Sequence, residues 1–258
     1  MASHGSNLPP ESLAAEHTPQ AIEERLAGGP VHSYLRDWVY GAIDGTVTTF
    51  AVVAGVMGAE LASSVILVLG VANLFADGFS MAVGNFLGTR AEEERRQKLR
   101  RAEHDHIRLH PHGEREEIRQ IFAAKGFEGA DLERAVDTIT SDVDRWVETM
   151  LTEEHGLSLV GPNPLRAAWS TFWSFVIVGA IPLLAFVYQN FTDGVPVDRA
   201  FMFSSAMTAA AFFAVGALKG RFVDQSWFRG GLETLGIGGL AAIIAYGVGV
   251  LLRGIAGA

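Results

Sequence analysis

The chain contains no cysteine, which excludes disulfide frameworks, thiolate metal sites and cysteine nucleophiles. It also lacks any basic excess, since 20 Lys and Arg stand against 29 Asp and Glu for a net charge of -9. Nucleic acid is thereby excluded as the main partner, because phosphate binding needs a basic face. The acidic surplus suits a cationic ligand or simply a solvated acidic surface. Residues 1–31 lack the basic start and compact apolar stretch of a cleavable signal peptide. Their mix of Ser, Pro, Gly and Glu reads as a disordered cytoplasmic tail, with a short helix around AIEERLA.

Apolar residues are abundant instead. They make up 49% of the chain, 29 of the 258 residues are glycine, and the mean hydropathy is +0.23. These values point to a membrane protein with a polar part. Five apolar stretches, Trp38–Leu61, Ser63–Leu87, Ala167–Tyr188, Ala200–Leu218 and Leu232–Leu252, each approach the roughly 20 residues needed to cross a bilayer. The fold class expected is therefore an all-α membrane protein of five transmembrane helices. Residues 32–89 hold the first two spans and 163–258 the last three.

Between them lies a polar insert, residues 90–162, that carries most of the charge. Segments such as EREEIRQIFAAKGF and DLERAVDTITSDVDRWVETMLTEEHG place apolar residues three and four apart, a helical pattern. Breaks at HPHG and KGFEG divide the insert into about three helices. Arg25, Arg36, Lys219, Arg221 and Arg229 fall on the side of the insert and only Arg199 and Arg253 on the other. That bias sets the N-terminus and insert in the cytoplasm and, with five spans, the C-terminus outside.

Asp44 and Asp77 fall inside spans, where each ionised carboxylate costs about 2.5–3.5 kcal/mol and is normally kept for a partner or a path. Counted from Asp37 at about 1.5 Å per residue, Asp44 lies about 10 Å into the membrane. Counted back from Gly88, where span two ends on the same side, Met81 reaches a similar depth, and Asp77 lies about 6 Å deeper. Asn73, Asp77, Met81 and Asn85 recur every four residues, which sets them on one slowly drifting helical stripe. Carboxylate, amide and thioether groups are possible ligands for a borderline divalent metal. The structural alternative is that they only hydrogen-bond between helices, with Met81 as ordinary packing. Glycines 41, 45, 55, 58, 70, 78, 84 and 88 are read as sites of close helix approach, and Pro182 as a kink in span three.

In the insert, Glu103 and His106 are three apart, as are Glu114 and Glu117, while Met150 precedes Glu153 and Glu154 by three and four. On helices each set faces one side. Together they could form a Glu-rich site for Fe²⁺ or Mn²⁺, although Glu pairs at this spacing also occur on any solvated helix face. His104, His106, His110 and His112 add a His-rich tract, in which His104 and His106 point to different faces if helical.

The segments HSYLRDWVYGAIDGTVTTFAVVAGV, NLFADGFSMAVGNFLGTRAEEER, NPLRAAWSTFWSFVIVGAIPLLAF and GLETLGIGGLAAIIAYGVG resemble, in order, the vacuolar iron transporter family, also called nodulin-21-like. The resemblance implies a five-span homodimer that moves Fe²⁺, and often Mn²⁺, out of the cytoplasm in exchange for protons, without an organic cofactor. It implies that Asp44 and Met81 flank the ion entrance and that Glu103, Glu114, Glu117, Met150, Glu153 and Glu154 collect metal. His106 stands where a further family glutamate is expected, Gly113 interrupts an acidic run, and Asn85 replaces the glutamate of a common Gly-Glu-Tyr.

Three functions compete at this point. One is a proton-coupled divalent metal transporter in the cell membrane, passing ions along Asp44, Met81, Asp77 and Asn73. Another is a membrane-anchored metal buffer or sensor. The least supported is a ferroxidase-like enzyme, because the Glu-x-x-His pattern occurs only once, at Glu103 and His106. The expectation is thus a transporter and not an enzyme, with metal ions, protons, lipid and a second copy of the chain as partners.

Overall fold

The computed structural model describes residues 14–27, 32–192 and 194–256. The remainder of the expected disordered tail lies outside the described residues. Its short helix is present as α1, Pro19–Ala27. The described chain is helical, with α2 (Leu35–Gly58), α3 (Ser63–Leu109), α4 (Pro111–Ala124), α5 (Gly129–Thr140), α6 (Val143–Glu153), α7 (Pro164–Gly179), α8 (Ile181–Phe191), α9 (Val197–Phe222) and α10 (Trp227–Ala256). It divides into two compact units, Met1–Phe86 with Leu165–Ala258, and Leu87–Pro164.

In the first unit α2, α3, α9 and α10 are each long and apolar enough to span a bilayer, and α7 with α8 forms a fifth span bent by 46°. The bend falls where Pro182 occupies the first turn of α8, as a residue without an N–H requires. Phe50, Val53, Ile66, Leu74, Phe175, Leu183 and Phe186 form the apolar core. Span α2 is the most enclosed, with 56% of its apolar window buried against 11% for α10. The outer faces carry Val68, Phe75, Phe79, Ile177 and Ile243 exposed, as a lipid-facing surface does.

Small residues let α2 reach this central position. A Cβ on Gly41 would run into the Thr171 carbonyl, one on Gly45 into that of Phe175, and one on Gly58 into that of Tyr246. Some buried hydroxyls on these helices are satisfied locally: Thr46 donates to the Ala42 carbonyl at 2.7 Å and Thr208 to that of Ser204 at 2.7 Å, while Ser204 donates across to the Pro182 carbonyl at 2.6 Å. Gly84 and Gly88 have no neighbour within 4 Å of a Cβ position. The close approach expected there is therefore absent among the described residues. Trp169, Phe172 and Trp173 cluster midway along α7, and Phe213, Trp227 and Phe228 around the start of α10, where the Trp227 indole suits a membrane–water boundary.

The second unit packs the end of α3 with α4, α5 and α6 around Ile107, Ile118, Val136, Trp146, Val147, Met150 and Leu151. The HPHG break is shorter than its composition suggests, a single residue, His110, between α3 and Pro111 at the start of α4. At KGFEG, Gly126 adopts φ +93°. Its N–H donates to the Ala123 carbonyl and that of Phe127 to the Phe122 carbonyl, a Schellman closure sealed by the Phe122–Phe127 ring contact. A further break at Ser141 and Asp142 separates α5 from α6, and the Asp142 carboxylate accepts from the Arg145 N–H at 2.8 Å. A Ser-Asp pair before an apolar run is an N-cap signal.

Candidate metal centre

Among the described residues, the expected cation ligands lie partly in the insert and partly on the α2 and α3 spans. Within the insert, α3 supplies Glu103 and His106, α4 supplies Glu114 and Glu117, and the end of α6 supplies Glu154 and His155. Glu103 is 2% exposed and Glu114 7%. The Glu103 Oε1 lies 2.9 Å from His155 Nε2 and 4.0 Å from His106 Nδ1, which is itself 3.5 Å from Glu114 Oε1. Glu154 Oε2 stands 3.9 Å from His155 Nε2.

Two triads therefore bring their ligand atoms within 4.8 Å of one another: Glu103, His106 and Glu114, and Glu103, Glu154 and His155. The remaining oxygens, Glu103 Oε2 and Glu114 Oε2, are buried without a hydrogen-bond partner among the described residues. A buried carboxylate oxygen left unpaired is costly, and a cation would relieve it.

Burial pushes the Glu114 carboxyl up to about 7, helped by repulsion from Glu117 and Glu103. Burial, together with Glu154 and Glu103, also raises Glu117. Such shifts mark carboxylates crowded around a shared space.

Other insert residues are placed elsewhere. Glu153 turns away to Lys125 Nζ at 2.5 Å. Met150 is fully buried in the apolar core. His104 faces Asp144 at 3.9 Å, on a different side from His106, while His110 and His112 begin α4 and are exposed. The His-rich tract thus contributes His106 alone to the group. His155, which the sequence reading did not select, enters because Gly156 at φ +63° ends α6 and Leu157 N–H closes back on the Leu151 carbonyl at 2.9 Å. The signal for it was a histidine directly before a helix-ending glycine in TEEHG.

In the membrane unit the α3 stripe meets α2 in antiparallel register. Asn73 donates to Thr48 Oγ1 at 3.3 Å, and Asn85 donates to Asp37 Oδ1 at 2.9 Å. Between these two contacts the register sets Asp77, one turn after Asn73, level with Asp44, one turn before Thr48. Met81 packs beside the apolar core; it was expected level with Asp44, but the register puts Asp77 there and Met81 one turn nearer the Asn85–Asp37 contact, because the pairing of the helices and not the count from their ends sets relative depth. Asn85 also donates to Thr171 Oγ1 on α7 at 2.8 Å, so one amide joins three helices. Asp77 is exposed on the single chain.

A family model described as the VIT family matches residues 35–250. The chain belongs to the VIT family. It is 34% identical over 230 residues to the vacuolar iron transporter of Toxoplasma gondii, covering 87% of this chain and 76% of that one. It is 32% identical to vacuolar iron transporter 1 of Oryza sativa subsp. japonica over 96% of both chains. It is 30% identical to that of Arabidopsis thaliana over 92% and 90%. For a VIT family chain the match spans both groups described above, the intramembrane carboxylates and the insert cluster. It is an integral membrane protein, and the family is one of transporters rather than enzymes.

Proposed function

We propose that this chain is a proton-coupled transporter of Fe²⁺, and of related ions such as Mn²⁺, that moves them out of the cytoplasm as a homodimer. The observation that carries this reading is the antiparallel register that sets Asp44 and Asp77 level with each other on neighbouring helices long and apolar enough to span a bilayer. An anchor has no use for two carboxylates that each cost about 2.5–3.5 kcal/mol in the membrane. A path for a divalent cation does, since the ion neutralises both.

In this mechanism the insert cluster of Glu103, His106, Glu114, Glu117 and Glu154 concentrates ions at the cytoplasmic side. Ions then pass Met81 at the entrance to reach Asp44 and Asp77 and move on to Asn73. A carboxylate that accepts a proton is a poor ligand, so protons arriving from the far side at Asp44 or Asp77 displace the metal, and the carboxylates return protonated. Metal and proton thus exchange on the same oxygens. The amide of Asn73 and thioether of Met81 are neutral donors that hold a borderline ion without trapping it by charge.

The exposure of Asp77 on the single chain supports the homodimer, because a second copy covering that face of α3 would shield the carboxylate from lipid. The proposed orientation sets the N-terminus and insert in the cytoplasm and the C-terminus outside. The relatives are named for the vacuole; the direction, away from the cytoplasm, is the same across a cell membrane or a vacuolar one.

The test is Fe²⁺ flux in proteoliposomes. Asp44→Asn and Asp77→Asn should each abolish it while the protein still elutes as a dimer; full flux in both variants would overturn the pathway. A second reading, a membrane-anchored metal buffer, is favoured by the insert having its own core and cluster. It predicts binding to the insert without any flux in the unmodified chain.

A further inference from the structure

Glu103 is flanked by imidazoles on both sides. His155 Nε2 is 2.9 Å from its Oε1 and His106 Nδ1 4.0 Å from the same atom. Each imidazole belongs to a different triad, and Glu103 is the member they share. Neither histidine completes the carboxylates' hydrogen bonding, since Glu103 Oε2 and Glu114 Oε2 remain buried and unpartnered. Two aromatic nitrogens facing a space lined by unsatisfied oxygens form a mixed donor set. Imidazole nitrogen suits borderline ions, whereas an all-oxygen set suits hard ones such as Mn²⁺ and Mg²⁺.

We propose that His106 and His155 are metal ligands of the insert, one for each triad around Glu103, and that they set its preference for borderline divalent ions such as Fe²⁺, Co²⁺ and Zn²⁺ over Mn²⁺. The inference rests on the reading that the insert collects ions, and it assigns to that site a selectivity that its carboxylates alone would not give. Affinity at any nitrogen and oxygen site rises from Mn²⁺ through Fe²⁺ and Co²⁺. Replacing oxygen donors by imidazole steepens that rise, and removing the imidazoles flattens it.

The test uses the full chain in detergent micelles, titrated with Co²⁺ and Mn²⁺ separately. In the doubly substituted chain, His106→Gln with His155→Gln, the ratio of Mn²⁺ to Co²⁺ dissociation constants should fall by about tenfold relative to the unmodified protein, mainly through weaker Co²⁺ binding. A ratio unchanged within twofold, with both ions still bound, overturns the proposal and leaves the collecting role intact. Failure of the unmodified chain to bind either ion overturns both. X-ray absorption at the cobalt edge supplies a measurement that needs neither histidine substituted. In a chain carrying His104→Ala, His110→Ala and His112→Ala, bound Co²⁺ should still show imidazole scattering. Oxygen-only coordination there overturns the proposal.

Discussion

Asn85 donates to Asp37 Oδ1 at 2.9 Å and so binds α3 to the first turn of α2. The same amide donates to Thr171 Oγ1 on α7 at 2.8 Å, and the Thr171 hydroxyl in turn donates to the Ala167 carbonyl at 3.1 Å. The residue that stands in place of a glutamate in the resemblance thus has a structural employment: a neutral amide can donate to a carboxylate that a second carboxylate would repel.

Asn85→Ala removes this junction and leaves the Asp37 carboxylate without that donor. A lost hydrogen bond to a charged, part-buried group costs about 1–3 kcal/mol. Thermal unfolding of the detergent-solubilised protein should therefore begin several degrees lower, and Asn85→Glu should lower it at least as far at neutral pH. A melting temperature unchanged in both variants would show the contact to be unimportant.

Glu114 titrates near 7 in the folded insert, against 4.5 ordinarily, because burial disfavours its charge. The folded state therefore holds a proton that the unfolded state has released between those values, so this group lowers the stability of the metal-free insert as pH rises through about 7. Metal requires the deprotonated form. Affinity for a divalent ion should accordingly increase from pH 6 to pH 8 with proton release, and added metal should recover the stability lost at pH 8. Isothermal titration in buffers of different ionisation enthalpy reads both, and a pH-independent affinity would refute the assignment.

Glu153 and Glu154 are adjacent but point to different partners, Lys125 and the His155 side of the cluster. Glu154→Gln should weaken metal binding about tenfold or more, since it removes a charged donor. Glu153→Gln should leave affinity within about twofold and stability within about 0.5 kcal/mol, as for an exposed ion pair. The reverse order would mean that α6 turns its other face to the ion.

Gly45 lies against the Phe175 backbone, where any side chain would meet the carbonyl and Cα. Gly45→Leu must push α2 and α7 apart at a cost of about 3 kcal/mol or more, read as a loss of folded protein on size-exclusion chromatography. Normal folding of this variant would show that the helices are not held at this distance.

Much of this architecture was legible because bilayer physics is restrictive. Length and apolarity alone marked five crossings, and Pro182 marked the bend in the third. The stripe from Asn73 to Asn85 was visible as a four-residue repeat, but its antiparallel match to Thr48, Asp44 and Asp37 was not, since helix rotation is set by packing against neighbours. In the insert, spacing found Glu103, Glu114 and Glu117 because each pair sits on one helix. It could not separate Glu153 from Glu154, because adjacent residues at a helix end point about 100° apart and only tertiary contacts choose between them. His155 escaped the pattern because it lies past the last turn of α6, where periodicity no longer applies.

The most direct test of proton-coupled transport is Fe²⁺ uptake into proteoliposomes holding a pH-sensitive dye, with a pH gradient imposed in either direction. Fe²⁺ movement should follow the opposing proton gradient, be accompanied by dye-reported proton flow the other way, and cease when the gradient is dissipated. Fe²⁺ uptake at the same rate with and without a gradient, and with no change in internal pH, would contradict it.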